Sequence, residues 1–128
     1  MLDYFSTRPS VSPDGTQVAF YFRKDNTSAV QLGIMPIDGK VPARQFDVAP
    51  SGGYLMVRWT ADGKALLHNS AGGDRANIWL QLIDGGKPRM ITRFSEQSIM
   101  AFDRSTDGKQ VLIARGTITR DAFLLKGF

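Results

Sequence analysis

The chain has no cysteine, a single histidine (His68) and a single glutamate (Glu96) among its 128 residues. Without cysteine there is no disulfide scaffold, no thiolate metal site, no iron–sulfur cluster and no cysteine nucleophile. One imidazole cannot build a multi-histidine metal cage. Long apolar runs are also missing. Val18-Ala19-Phe20-Tyr21-Phe22 is among the longest, far short of a membrane span. Met1-Leu2-Asp3-Tyr4-Phe5 lacks a basic stretch followed by an apolar core, so it does not read as a signal peptide, and an export signal would lie upstream.

The scarcity of glutamate is set against eleven aspartates, five of them followed directly by glycine. Glutamate favours helices, whereas aspartate accepts local backbone hydrogen bonds and tolerates turn geometry. With 13 glycines as well, the composition points to turns and therefore to strands. The hydrophobic fraction of 42% and charged fraction of 22% are those of an ordinary globular chain.

Self-similarity decides the architecture. Ser12-Pro13-Asp14-Gly15, Thr60-Ala61-Asp62-Gly63 and Ser105-Thr106-Asp107-Gly108 recur at offsets of 48 and 45 residues. A second series, Ile37-Asp38-Gly39 and Ile83-Asp84-Gly85, is offset by 46. Two interleaved motifs with one period near 46 residues indicate propeller blades, each a four-stranded antiparallel sheet. Proline at the second turn position pre-sets φ and glycine at the fourth accepts positive φ, as in a type I turn closing a tight hairpin.

Inner strands are expected over Arg8 to Ser12, Leu55 to Thr60 and Met100 to Ser105. Second strands follow over Gln17 to Arg23, Ala65 to Ser70 and Gln110 to Arg115. Third strands fall at Gln31 to Ile37, Asn77 to Ile83 and Asp121 to Leu125, and short outer strands at Ala43 to Phe46 and Arg89 to Thr92. No segment carries apolar residues at helical spacing. The expected fold is all-β, one partial β-propeller domain with blades at about 8–50, 51–97 and 98–128, the last incomplete. Propellers close with about four to eight blades. The chain therefore reads as the C-terminal blades of a longer ring, with association of copies into a homodimer as the alternative route to closure.

The segments Ser-Pro-Asp-Gly-Thr-Gln-Val-Ala-Phe (12–20), Ile-Trp-Leu-Gln-Leu-Ile-Asp-Gly-Gly-Lys-Pro-Arg-Met-Ile-Thr-Arg-Phe (78–94) and Thr-Arg-Asp-Ala-Phe-Leu-Leu-Lys-Gly-Phe (119–128) resemble TolB-like (WD40-like) β-propeller repeats. The last is similar to the C-terminal end of propellers in bacterial multidomain proteins such as Ser/Thr kinases and winged-helix regulators. The resemblance covers nearly the whole chain and implies a propeller, a binding role and a periplasmic or extracytoplasmic setting. The family often places tryptophan before the turn's hydroxyl residue. Trp59 keeps it, whereas Val11 and Arg104 do not.

Few residues suggest chemistry. His68 occupies the slot of Phe20 and Ile113 in the other repeats, and reads as a partly buried strand histidine satisfied by a neighbour. Ser12, Ser105 and Asp14 lie in repeated turns, where hydroxyl and carboxylate hold the backbone, and no Gly-x-Ser-x-Gly elbow accompanies them. One aspartate per turn is too sparse for calcium. Gly72 and Gly73 lack the Lys-Ser/Thr ending of a phosphate loop. The net charge of +4 is dispersed. Arg44, Lys87, Arg89 and Arg93 fall on or beside outer strands, so no nucleic-acid groove is expected.

The inner strands, which line a propeller's channel, are more informative. Ser10, Arg58 and Asp103 each precede the turn hydroxyl by two residues, so Arg58 and Asp103 should sit side by side on neighbouring blades, with Arg104 adjoining. They are either an ion pair bracing two strands or a channel lining that grips a protein or peptide. The expectation is a non-enzymatic protein- or peptide-binding or scaffolding module with no cofactor, no metal and no membrane insertion. A gating propeller for a separate prolyl-oligopeptidase-type hydrolase, or a self-assembling half-propeller, are the alternatives.

Overall fold

The computed structural model describes residues 8–25, 28–41, 43–48, 55–72 and 75–117, together with Thr119, Asp121, Ala122, Leu124, Lys126 and Gly127. The first sheet runs β1 (Ser10–Val11), β2 (Gln17–Phe22), β3 (Gln31–Pro36) and β4 (Arg44–Asp47). The second repeats that order with β5 (Val57–Trp59), β6 (Ala65–Gly72), β7 (Arg75–Leu82) and β8 (Arg89–Met90). The third holds β9 (Ser98–Arg104) and β10 (Val111–Gly116). Every pairing is antiparallel between sequence neighbours.

The turns show why these residues make hairpins. Ser12 N–H donates to the Gln17 carbonyl at 2.8 Å and Gly15 N–H to the Ser12 carbonyl at 2.9 Å. The Ser12 hydroxyl donates to Asp14 at 2.6 Å while accepting from Gln17 N–H at 3.0 Å. The same set recurs at Thr60–Asp62–Ala65 and Ser105–Asp107–Gln110. Gly15, Gly63 and Gly108 take φ of 75°, 68° and 72°, a region that costs a residue with a Cβ about 1–2 kcal/mol. Hydroxyl, carboxylate and glycine are thus all required by one hairpin.

The sheets stack face to face around two apolar cores. Ala19, Tyr21, Leu32, Ile34, Val57, Trp59 and Leu66 fill the space between the first and second sheets. Met56, Leu67, Ile78, Ile99 and Phe102 fill that between the second and third. The central sheet is covered on both faces, which is why β6 reads Ala65-Leu66-Leu67 with no polar alternation, each residue buried. Each fully buried aliphatic or aromatic side chain contributes about 1.5–3 kcal/mol.

The third sheet departs from the expected blade. Asp121, Ala122 and Leu124 are irregular rather than strand, Phe123 and Leu125 lie outside the described residues, and β10 has no third strand beside it among the described residues. In the other sheets the third strand is anchored by burial of Leu32 and Ile78. On β10 the outward-facing Leu112 is 80% exposed. Without a covering surface, the apolar gain that would offset ordering another strand is missing. The first inner strand is also shorter than expected, covering Ser10–Val11 only.

Candidate functional site

The inner strands bring together the side chains of two of the four residues singled out from the sequence. Arg58 Nε lies 3.4 Å from Asp103 Oδ1, across the gap between β5 and β9. The arginine side chain is mostly covered, whereas that of Asp103 is 68% exposed. Asp103 Oδ1 also accepts from the backbone N–H of Arg104 at 2.8 Å, and Arg58 Nη1 donates to the Val57 carbonyl at 2.9 Å. The carboxylate is therefore pinned through one oxygen and presented to solvent.

Arg104 and Ser10 are built into the blade junctions. Arg104 Nε donates to the Trp59 carbonyl and its Nη1 to the Ser105 carbonyl at 3.2 Å. Trp59 Nε1 donates to the Ser10 carbonyl at 2.8 Å. Ser10 thus contributes its backbone to a junction, and no structural contact brings it to the Arg58–Asp103 pair. The result is one exposed anion paired with one mostly covered guanidinium on rigid strands. Such a pair can hold charged side chains of an extended peptide.

The turn residues are structural in detail. Asp14, Asp62 and Asp107 are held below the ordinary carboxylate range. The hydroxyls of Ser12, Thr60 and Ser105 are the main cause in each, followed by the amides of Thr16, Lys64 and Lys109. Each hydroxyl bridges its carboxylate and an amide five residues on, and a carboxylate held so low is a weak general base. Among the described residues, no three acidic or imidazole side chains gather as metal ligands. Gly72 ends β6, and Gly73 lies outside the described residues.

His68 differs from its expected reading. It is 97% buried rather than partly so, and its Nδ1 has no hydrogen-bond partner. It stands opposite Val57 and Trp79 in the sheet, surroundings that suit the Phe20 and Ile113 found at its equivalents. Burial lowers its pKa to about 4, so the ring is neutral at pH 7.

Several contacts had no signal in the sequence. Arg44, expected to be a solvated edge residue, donates from Nη1 to the Ile83 carbonyl at 2.6 Å and ties the first sheet to the second. The Tyr21 hydroxyl faces the carbonyls of Met56 at 3.2 Å and Asn69 at 3.1 Å. Burial pushes its pKa up. Asn77 accepts from Thr92 Oγ1 at 2.8 Å and Phe94 N–H at 2.7 Å, fixing Phe94 beneath the Arg115 guanidinium, 3.7 Å from the ring centre. A cleft of about 180 Å³ opens between the first two turns, walled by Pro13, Asp14, Gln17, Trp59, Asp62 and Ile83. Turns 48 residues apart create it, so no local motif announces it.

No protein-family model matches the chain, and no curated protein matches it. Solved structures do. The crystal structure of TolB from Acinetobacter baumannii superposes with a TM-score of 0.66 at 23% identity, over 82% of this chain and 25% of that one. A putative TolB from Agrobacterium tumefaciens superposes with a TM-score of 0.71 at 20% identity, over 88% of this chain and 39% of that one. The chain thus spans well under half the length of either. With its repeated antiparallel sheets, stacked face to face and opened by the same hydroxyl–aspartate–glycine turn, it has the fold of a TolB-like β-propeller.

Proposed function

We propose that this chain is a non-catalytic recognition module, a set of propeller blades that bind a protein or peptide segment across their inner strands. The Arg58–Asp103 pair carries the reading: it spans two blades, and its carboxylate is 68% exposed on strands fixed by the junctions beside it. Propellers hold such groups on rigid strands, so binding loses little freedom on the protein's side. The Arg104 backbone N–H holds the carboxylate in place, while the Arg104 and Trp59 side chains tie the strands beside it to their neighbours. The ion pair is worth little as a brace in so exposed a position, which leaves recognition as the better use of two opposite charges. A Ser-His-Asp reading would take the turn serines as nucleophiles, and their hydroxyls hold the turns instead.

The test is a panel of extended peptides with acidic, basic and neutral side chains, titrated by fluorescence anisotropy against the wild-type chain, Arg58→Ala and Asp103→Ala. The expected result is saturable binding by one charge class, weakened about tenfold or more in both variants while their circular dichroism stays unchanged. Binding that is indifferent to both substitutions, or the absence of binding across the panel, contradicts the proposal.

A further inference from the structure

The cleft of about 180 Å³ between the first two turns is walled by two kinds of side chain. Pro13, Trp59 and Ile83 are apolar, while Asp14 and Asp62 bring one carboxylate each from turns on neighbouring blades. Pockets for drug-sized ligands hold about 300–1,000 Å³, so this one has room for a single side chain rather than a cofactor. Its walls are fixed before anything binds. The Trp59 indole is held on the Ser10 carbonyl. Ile83 donates its N–H to the Lys64 carbonyl at 3.1 Å, and its own carbonyl accepts from Arg44. The two turns meet at van der Waals distance, since a Cβ on Gly63 would lie 3.7 Å from Pro13 Cδ.

The charge in the cleft is unbalanced. Asp14 commits Oδ1 to the Ser12 hydroxyl, the Thr16 N–H at 3.0 Å and the Thr16 hydroxyl at 2.8 Å. Asp62 commits Oδ1 to the Thr60 hydroxyl and the Lys64 N–H. The Oδ2 of each takes no hydrogen bond from the described residues. The ion pairs among those residues lie elsewhere, at Lys40–Asp38 and Arg58–Asp103. Lys64 lowers Asp62 through space but is not paired with it. Both carboxylates are exposed and held below the ordinary range, so both are charged at pH 7. At the second junction Arg104 takes the place of Trp59, and the chain sets a guanidinium of its own on the Ser105 carbonyl of the next turn. The first junction has the carboxylates without the cation.

We propose that this cleft is a socket for one basic side chain of a partner protein or peptide, arginine ahead of lysine. The cation meets the two uncommitted Oδ2 atoms, and its aliphatic stem lies along Pro13, Trp59 and Ile83. Arginine is favoured because a planar fork donates to two acceptors at once, where an ammonium acts as a point charge. A neutral side chain of the same shape would shield two carboxylates from water without pairing them. The socket goes beyond the Arg58–Asp103 reading: turns rather than inner strands build it, neither of those residues lines it, and it takes one charge class.

The experiment titrates the capped peptide acetyl-Ala-Ala-Arg-Ala-Ala-amide, and its lysine and citrulline counterparts, into the isotope-labelled chain, followed by two-dimensional NMR. The expected result is saturable shifts at the amides of Thr16, Gly63 and Lys64 and at the Trp59 indole, tightest for arginine. Citrulline, of the same shape without the charge, is expected to bind about tenfold more weakly. Asp14→Asn and Asp62→Asn keep an Oδ1 acceptor for the turn and remove only the charge. Each is expected to weaken arginine binding about threefold, and the two together about tenfold. Asp107→Asn, on the third turn and outside the cleft, is expected to change nothing, and dispersed spectra check that every variant is folded. Citrulline binding as tightly as arginine, Asp14→Asn and Asp62→Asn both binding like the wild type, or no saturable shift at the first two turns would each overturn the proposal. Shifts gathered at Arg58 and Asp103 in place of the turns would overturn the socket and leave the inner-strand reading standing.

Discussion

Arg104 donates from Nε to the backbone carbonyl of Trp59, repeating one blade later what the Trp59 indole does to the Ser10 carbonyl. An aromatic and a cation thus fill one structural role. Each carries a planar N–H on a side chain long enough to cross the junction, and each leaves its apolar or planar body against the neighbouring inner strand. Trp59→Phe keeps most of the buried ring and removes only the donor. A loss of about 1 kcal/mol is expected from the missing hydrogen bond, with more if the Ser10 carbonyl goes unsatisfied. Arg104→Met, tested in the same urea titration, is expected to cost a comparable amount at the second junction.

The turns also stack on one another, and the glycines report it. A Cβ on Gly108 would lie 2.7 Å from the Ala61 Cβ, whereas one on Gly15 would meet nothing within 4 Å. Both glycines have φ above 70°. Gly15→Ala is therefore expected to lose about 1–2 kcal/mol from backbone strain alone, and Gly108→Ala to lose clearly more. Adding Ala61→Gly to Gly108→Ala should recover the excess, but not the strain. Equal losses in Gly15→Ala and Gly108→Ala would show that the turns do not touch.

How much of this was legible in the sequence follows from what is local. The Ser/Thr-x-Asp-Gly turns carry their own hydrogen bonds, so hairpins, strand order and the period were readable from residue types alone. The Arg58–Asp103 juxtaposition was readable too, because equivalent positions on neighbouring blades fall side by side. The junction donors were not. Nothing in Arg104 says that a guanidinium replaces an indole, and Arg44 looks like any edge cation until Ile83 is seen opposite it. The strand expected at Asp121 to Leu125 has the right pattern, but a third strand needs a covered face, and that depends on what lies beyond Leu112.

His68 sets a pH dependence of stability. Its folded-state pKa is lowered from 6.5 to about 4 by burial, so the unfolded chain binds the additional proton between those values. Its contribution is complete above pH 6.5 and is lost progressively as pH falls toward 4, a total of about 3 kcal/mol. The turn aspartates titrate below the ordinary 3.8, so they leave this window to the histidine. His68→Leu is expected to flatten the slope between pH 6.5 and 4 in urea titrations, and to leave stability at pH 7 equal or raised, since an unpartnered Nδ1 is removed. An unchanged slope would place the titration elsewhere.

Asn77 should prove more important than an ordinary strand asparagine. Its Oδ1 holds Thr92 and the Phe94 amide, and Phe94 packs on the second core. Asn77→Ala leaves those donors unpaired and frees the segment that carries the ring. A loss of about 2–3 kcal/mol is expected, above that of a single neutral hydrogen bond. Asn77→Ala measured with and without Phe94→Leu should show non-additive losses, because the two side chains act through one segment.

The central claim is that one junction scheme, used twice among the described residues, leaves the middle sheet covered on both faces. Amide hydrogen exchange on the wild-type chain tests it directly. The expected pattern is slowest exchange in β6 and β7, with faster exchange in β10, whose Leu112 face is open. A middle sheet no better protected than the third would contradict the account.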